Sequence, residues 1–174
     1  VITGMALASP LGCTRETAFE KLLTKTNCVK YMPELEKYER LNTRLAAPAK
    51  DFIIPAHFNR KVLRTMGRIS IMSVATAEEA LKDAGLLGNE ILTNGQTGVS
   101  YGSSTGALES VLEFYSMMRD FEVKGVNSGS YVKMMSQTAA VNISLYFKTT
   151  GRLIPTSTAC TSGSMGIGYA YEAI

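Results

Sequence analysis

The sequence lacks several features that would assign it to a class at once. It has no apolar run that approaches the roughly 20 residues needed to cross a bilayer, and its first residues lack the basic and apolar regions of a signal peptide. The formal net charge of +3 gives no reason to expect a nucleic-acid partner. The 45% hydrophobic content is that of a globular chain. We therefore expect a soluble cytoplasmic protein.

Histidine and cysteine are also scarce. His57 is the only histidine, and Cys13, Cys28 and Cys160 are far apart in the chain. A metal site needs clustered ligands, and an odd, widely spaced set of cysteines argues against a disulfide framework. We therefore predict no metal, interpret His57 as a surface residue, and interpret Cys13 and Cys28 as small buried side chains.

The glycine-rich segment GVSYGSSTG follows a predicted strand and precedes a predicted helix, as phosphate-binding loops do. It has no GK[ST] sequence, and Gly98, Gly102 and Gly106 do not have the GxGxxG spacing. We expect a tight loop in which two backbones approach each other. No cofactor is predicted.

Strand-like and helix-like segments alternate along the chain. VITGMALAS and RLIPTST predict strands, as does the segment around Val99, and Thr14 is the predicted N-cap of the first helix. One long helix is predicted from Arg60 to Gly85, another over ALESVLEFYSMMRDF, and a third over YVKMMSQTAAVNISLYFK. Residues 27–59 predict an irregular excursion. This alternation is typical of an α/β layer fold with a mostly parallel sheet.

Cys160 lies at the junction of the predicted strand RLIPTST and a further predicted helix. Such a turn presents a side chain at the end of a sheet, and the N–H groups of a helix N-terminus stabilise a thiolate or an oxyanion. Gly163, Gly166 and Gly168 are unfavourable in a helix, so they indicate close packing against another backbone. From these residues alone, a nucleophile and a buried structural thiol both stay open.

A basic cluster begins the long predicted helix, at i, i+4 spacing. Its members are Arg60, Lys61, Arg64 and Arg68. Such a cluster is either a solvated helical face or a docking patch for an acidic partner.

The two ends of the chain are unusual. It begins at Val1 without a methionine and ends within a predicted helix that has no capping glycine and no basic last turn. We expect both ends to be cuts, with the C-terminal one inside a domain.

Taken in order, these segments resemble the N-terminal half of the β-ketoacyl-acyl carrier protein synthases, condensing enzymes with a thiolase-like fold. VITGMALASPLG is similar to their opening strand and loop, and GVSYGSSTGALESV to their Gly/Ser strand and loop. The most specific similarity runs from YVKMMSQ to CTSGSMGIGYAYEAI, whose last part resembles the polyene- or polyketide-type branch. The resemblance implies a layered αβαβα fold, of which residues 1–174 form an N-terminal half-domain, incomplete at its C-terminus.

The resemblance also implies a reaction. Cys160 would accept an acyl group from an acyl carrier protein, and malonyl-acyl carrier protein would then be decarboxylated and attack the acyl-enzyme. The two histidines and the lysine that assist these later steps in the family lie downstream of the nucleophile. We therefore expect residues 1–174 to be inactive alone.

Further site residues and partners are implied only by the resemblance. The acyl tunnel would include Val111, Met134 and Met135. The carrier protein would dock on Lys61, Arg64 and Arg68. A homodimer would form through the strand at residues 152–158.

Two other functions stay open at this stage. The chain could be a non-catalytic, carrier-binding or chain-length-determining partner of another subunit. An α/β-hydrolase with a cysteine nucleophile is disfavoured. Its nucleophile would lie in a G-x-C-x-G sequence, and here Thr158 and Ser162 occupy the glycine positions.

Overall fold

The structure is a computed structural model that describes residues 1–174 throughout. The helices are α1 (Arg15–Leu23), α2 (Arg60–Leu63), α3 (Arg68–Asp83), α4 (Leu108–Asp120), α5 (Ser128–Lys133), α6 (Thr138–Phe147) and α7 (Ser162–Ala173). The strands are β1 (Lys30–Tyr31), β2 (Leu45–Ala46), β3 (Val99–Gly102) and β4 (Leu153–Thr156). No helix has both the length and the apolar character needed to cross a membrane.

A parallel sheet of β3 and β4 lies between two layers of helices. Helix α7 packs on one face of this sheet, and α6, which also contacts α3, packs on the other. Alternate residues of β3 point to opposite layers: the Ser100 hydroxyl donates to the Gly166 carbonyl at 2.6 Å, whereas the Tyr101 hydroxyl lies 2.6 Å from Ser73 Oγ. This α/β arrangement confirms the predicted fold class.

The apolar core lies under α3, on the side of the sheet away from α7. Its buried members come from α3, from α6 and from the segment before and after α2. They are Phe58, Met66, Val74, Ala75 and Phe147. The predicted excursion at 27–59 contains the antiparallel β1–β2 pair and a 3₁₀ turn at Pro33–Leu35.

The first helix begins as predicted, because the Thr14 hydroxyl accepts a hydrogen bond from Thr17 N. The predicted strand at the start of the chain, however, is wrong. Residues 1–8 form no strand and pack against the end of α3, where Met5 N donates to the Asp83 carboxylate at 2.9 Å. A Cβ atom at Gly4 would lie 2.7 Å from Ala84 N, so this segment packs against a helix instead of pairing in a sheet.

Both of the longer predicted helices are interrupted. The first divides into α2 and α3 at Gly67, which is extended (φ −88°, ψ 177°) and whose missing Cβ leaves room for Ala107. The second divides into α5 and α6. There the carbonyls of Lys133 and Met134 accept hydrogen bonds from Ala107 N and Gly106 N at 2.8 and 3.1 Å. Tertiary packing against residues 106–107 therefore overrides a helical pattern in both places.

A buried carboxylate, Glu78, ties α3 to its surroundings. Its side chain accepts hydrogen bonds from His57 Nε2 at 2.9 Å, Lys82 Nζ at 2.9 Å and the Tyr146 hydroxyl at 3.2 Å. Burial raises the pKa of Glu78, but the bonds from His57 and Lys82 more than offset it and hold the pKa below its usual value of 4.5. The exposed His57 is thus a partner of this carboxylate.

Glu78→Ala is expected to lower the free energy of unfolding by about 1–2 kcal/mol, because it removes the hydrogen bonds of a buried carboxylate to His57 and Tyr146, whereas Lys82 keeps its bond to Glu79. Glu79→Ala is the matched control: Glu79 also bonds Lys82, but its side chain is 60% exposed, so the loss should be at most about 0.5 kcal/mol. Urea unfolding measures both. Equal losses would contradict this account.

The same network predicts a pH dependence. Because the pKa of Glu78 is lower in the folded state than in the unfolded state, its stabilisation is full above about pH 4.5 and is lost as pH falls through the folded value. Urea midpoints measured downward from pH 6 should therefore fall more steeply in the parent protein than in Glu78→Ala. Parallel profiles would show that Glu78 does not titrate as described.

Candidate active site

Cys160 lies in a 3₁₀ turn, Ala159–Thr161, between the end of β4 and the start of α7. Its side chain is exposed. The predicted junction of strand and helix is confirmed, but the α-helix begins at Ser162 and not at Cys160. The thiol therefore lies at the carboxyl edge of a parallel sheet, which is where α/β folds bind their ligands.

The backbone before Cys160 is in an uncommon conformation. Ala159 has φ +51°, in the left-handed region that costs a residue with a Cβ about 1 kcal/mol or more. Two polar side chains hold this turn. Ser162 Oγ accepts from Thr158 N at 2.9 Å and donates to the Ala159 carbonyl at 2.7 Å, and Thr161 Oγ1 donates to the Thr158 carbonyl at 2.8 Å.

Buried contacts anchor the start of α7 to the sheet. Thr156 Oγ1, on β4, donates to the Ser162 carbonyl at 2.8 Å. Gly102, on β3, packs so closely that a Cβ there would overlap the same carbonyl. The prediction of close helix packing is confirmed at Gly166 alone, where a Cβ would lie 3.1 Å from Gly102 N. Gly163 and Gly168 have open space beside them.

The three predicted substrate-binding residues lie around one loop, residues 103–107, which follows β3. Met134 and Met135 are half-buried in the turn between α5 and α6. The sequence predicted one continuous helix that carries both methionines, and this prediction is wrong, because they lie in the break between α5 and α6. The bond from Gly106 N to the Met134 carbonyl joins this turn to the loop. Val111 is on the first turns of α4 and is 41% exposed.

The loop also connects these residues to Cys160. Its first residue, Ser103, donates from its backbone N to the Thr156 carbonyl at 3.0 Å, at the end of β4. One short segment, residues 103–107, therefore joins three parts of the chain at one edge of the sheet. They are the turn of Met134 and Met135, the start of α4, and the turn that contains Cys160 (the cysteine turn).

The predicted docking residues are exposed on both sides of the break between α2 and α3. Lys61 is on α2, Arg64 follows it, and Arg68 begins α3, where it donates to the Ala49 carbonyl at 3.2 Å. None of them, nor the neighbouring Arg60, forms an ion pair with a carboxylate of the chain. Gly67, within this segment, packs on Ala107, so the segment that carries the basic residues contacts the same loop at Gly67, next to Arg68.

This arrangement suits a nucleophile. The thiol is accessible, and it lies beside the N-terminus of α7, where the helix dipole and backbone N–H groups favour negative charge. The only histidine of the chain is bonded to Glu78. Sequence reasoning did not assign a role to Thr156, Thr158 or Ser162, because a hydroxyl near a cysteine carries no recognisable signal by itself.

Comparison with known proteins identifies this class of fold and site. All 174 residues match the family described as "Beta-ketoacyl synthase, N-terminal domain". A β-ketoacyl synthase of Burkholderia phymatum superposes with a TM-score of 0.93 at 46% identity, over 99% of this chain and 42% of that protein. The fold is therefore that of the thiolase-like ketosynthases. The chain belongs to the β-ketoacyl synthase family and corresponds to the N-terminal domain of that family.

Curated relatives agree with this assignment. The 3-oxoacyl-[acyl-carrier-protein] synthase 2 of Staphylococcus aureus is 30% identical over the whole chain, which covers 43% of that enzyme. A type II polyketide ketosynthase solved with its acyl carrier protein has the same fold, with a TM-score of 0.78 at 20% identity over 100% of this chain and 46% of its own. The chain thus spans less than half the length of the relatives it matches.

Proposed function

We propose that this chain supplies the acyl-accepting part of a 3-oxoacyl-acyl carrier protein synthase, with Cys160 as the nucleophile. The observation that carries the proposal is the exposed thiol, held in a constrained turn at the carboxyl edge of the sheet. Family membership supports the reaction class, because the related enzymes are named as condensing enzymes of this type.

The proposed acylation step uses this geometry. The Cys160 thiol loses its proton and its sulfur attacks the thioester carbonyl of the acyl donor. The new S–C bond forms, the C–S bond to the carrier breaks, and the carrier thiolate takes up the proton. Backbone N–H groups at the start of α7 stabilise the oxyanion that develops on the carbonyl oxygen. Malonyl-carrier then loses carbon dioxide, and the resulting carbanion attacks the acyl carbonyl on Cys160. The new C–C bond forms, the C–S bond to Cys160 breaks, 3-oxoacyl-carrier is released, and the Cys160 thiolate takes up a proton from water.

The acyl chain is proposed to lie along Val111, Met134 and Met135. These residues border the loop that also contacts the end of β4, and methionines adapt their shape to apolar ligands. No metal or cofactor takes part in this proposal.

Acyl carrier protein is the proposed partner, in both its acyl- and its malonyl-loaded forms. The acidic carrier would be attracted to the unpaired positive charges of Lys61, Arg64 and Arg68, whose segment contacts the loop at residues 103–107 through Gly67. A polyketide ketosynthase of the same fold has been solved bound to its acyl carrier protein.

Lys61→Glu is expected to slow acylation by an acyl-carrier substrate about 10-fold at low salt, because a reversed charge weakens the attraction of the acidic partner. Acylation by a small thioester should be unchanged. Stopped-flow acylation of the protein with both donors measures the two effects. Lys30→Glu makes the same charge change on exposed β1, and should leave both rates unchanged. Equal losses with both donors would exclude a docking role for Lys61.

A homodimer through residues 152–158 is proposed as well. Strand β4 is at the edge of a two-stranded sheet and pairs only with β3, so its other edge can accept a strand from a second copy. Sedimentation of the protein would give a dimer mass. A monomer at micromolar concentration would exclude this interface.

The function is tested by incubating the protein that contains residues 1–174 with acyl- and malonyl-loaded carrier. The proposal predicts carbon dioxide release and a 3-oxoacyl product that depend on both donors. Release of free acid without malonyl-carrier would instead indicate a hydrolase. Carrier binding without product would indicate a non-catalytic partner.

A further inference from the structure

The hydroxyl of Ser162 has no role in the acylation step described above, yet it is among the most buried polar groups of the chain. Ser162 is 3% exposed, at the first position of α7 and two residues beyond Cys160. Its Oγ makes two hydrogen bonds, one to each residue of the turn that precedes the cysteine. A buried hydroxyl with both bonds made fixes the geometry of the groups it joins.

The turn that this hydroxyl joins is strained. Ala159 has φ +51°, and the alanine side chain favours conformations with negative φ. The bonds from Thr158 N and to the Ala159 carbonyl lie on both sides of this residue. The turn is also closed by bonds from Ser162 N to the Ala159 carbonyl and from Thr161 to the Thr158 carbonyl, but the Ser162 hydroxyl alone joins Thr158 N to Ala159. Without this hydroxyl, Ala159 is freer to relax toward negative φ, which would turn the thiol relative to the start of α7.

We propose that Ser162 is the positioning residue that holds Cys160 in the orientation needed for acyl transfer. The inference rests on the proposed function of Cys160. In acyl transfer, the Cys160 sulfur and the N–H groups that stabilise the oxyanion must contact the same thioester carbonyl of the donor. A small displacement of the sulfur therefore lowers the rate of acyl transfer. Alkylation by iodoacetamide requires only an accessible thiolate. A positioning defect therefore changes the ratio of the two rates.

Ser162→Ala, measured in the protein that contains residues 1–174, is expected to lower the rate of acylation by a small thioester about 10-fold, the cost of losing one to two hydrogen bonds. Alkylation of Cys160 by iodoacetamide should change less than about 3-fold. Ser162→Thr keeps the hydroxyl and should restore acylation. An unchanged ratio of the two rates, or a failure of threonine to restore it, would overturn the inference.

The chain provides a closely matched control in Ser144. Its hydroxyl donates to the Thr149 carbonyl at 3.2 Å and accepts from Thr149 Oγ1 at 2.9 Å, beside Lys148, which also has a left-handed backbone (φ +56°). Ser144→Ala loosens a similar turn at the end of α6, and should leave the acylation-to-alkylation ratio unchanged. An equal fall in both serine variants would reduce Ser162 to a structural role.

Two further variants keep the outcome decisive. If Ser162→Ala does not fold, the double variant Ala159→Gly/Ser162→Ala tests the same turn: glycine removes the preference against φ +51°, so the ratio should recover to within about 3-fold of the parent. A folded double variant whose ratio stays about 10-fold low would overturn the inference. Cys160→Ala separates the two proposals: an acyl adduct on it would refute the proposed function itself.

Discussion

Cys160→Ala should lower the rate of product formation by at least about 10⁴-fold, because loss of a covalent nucleophile removes the acyl-enzyme on which the later step depends. The exposed thiol at the end of β4 makes it the acyl acceptor in this account. The effect is measured as the rate at which acyl groups pass from the carrier into the product, with the product quantified by chromatography. Binding of the acyl carrier protein should be unchanged, since the docking residues are intact.

The other two cysteines supply the controls for that experiment. Cys13 and Cys28 are half-buried free thiols; Cys13 precedes α1, and Cys28 lies between α1 and β1. Alanine at either position should leave the rate within about 3-fold of the parent. If Cys160→Ala still condensed, the chain would act as a partner to another subunit's nucleophile.

Gly102→Ala is expected to have the largest effect on stability, with a loss of more than about 3 kcal/mol. The added Cβ would overlap the Ser162 carbonyl and would lie 2.6 Å from Gly163 N, and both are backbone atoms that cannot move aside without displacing α7. Urea unfolding measures the loss. Because α7 begins immediately after the cysteine turn, acylation should fall in the folded fraction as well.

Ser100→Ala is the control on the same strand. Ser100 also faces α7, through its bond to the Gly166 carbonyl, but the substitution removes an atom where Gly102→Ala adds one. We expect a loss of about 1 kcal/mol, the usual value for one hydrogen bond. If the two variants were equally stable, the approach of β3 and α7 would be looser than the structure shows.

The sequence pattern predicted the α/β class, the β3 and β4 strands, and the N-cap at Thr14, because each depends on local residues. It did not predict the breaks at Gly67 and at residues 134–137. Both depend on the position of residues 106–107, which are distant along the chain. The first strand was wrong for a similar reason, since Gly4 packs against the end of α3 and Met5 N donates to the Asp83 side chain there.

The site was predictable in outline but not in detail. A cysteine between a strand and a glycine-rich helix predicted a nucleophile at Cys160, and the structure places that thiol at the edge of the sheet. The left-handed conformation of Ala159 had no signal, because glycine is the residue expected at positive φ. The role of Ser162 depends on that conformation, and so it could emerge only from the three-dimensional structure.

The most direct test of the central claim is the location of the acyl group. The protein that contains residues 1–174 is incubated with acyl-loaded carrier alone, digested, and mapped by mass spectrometry. The account predicts one acyl group, on the peptide that carries Cys160, and none on those with Cys13 or Cys28. An acyl group on another residue, or free acid with no adduct, would contradict it.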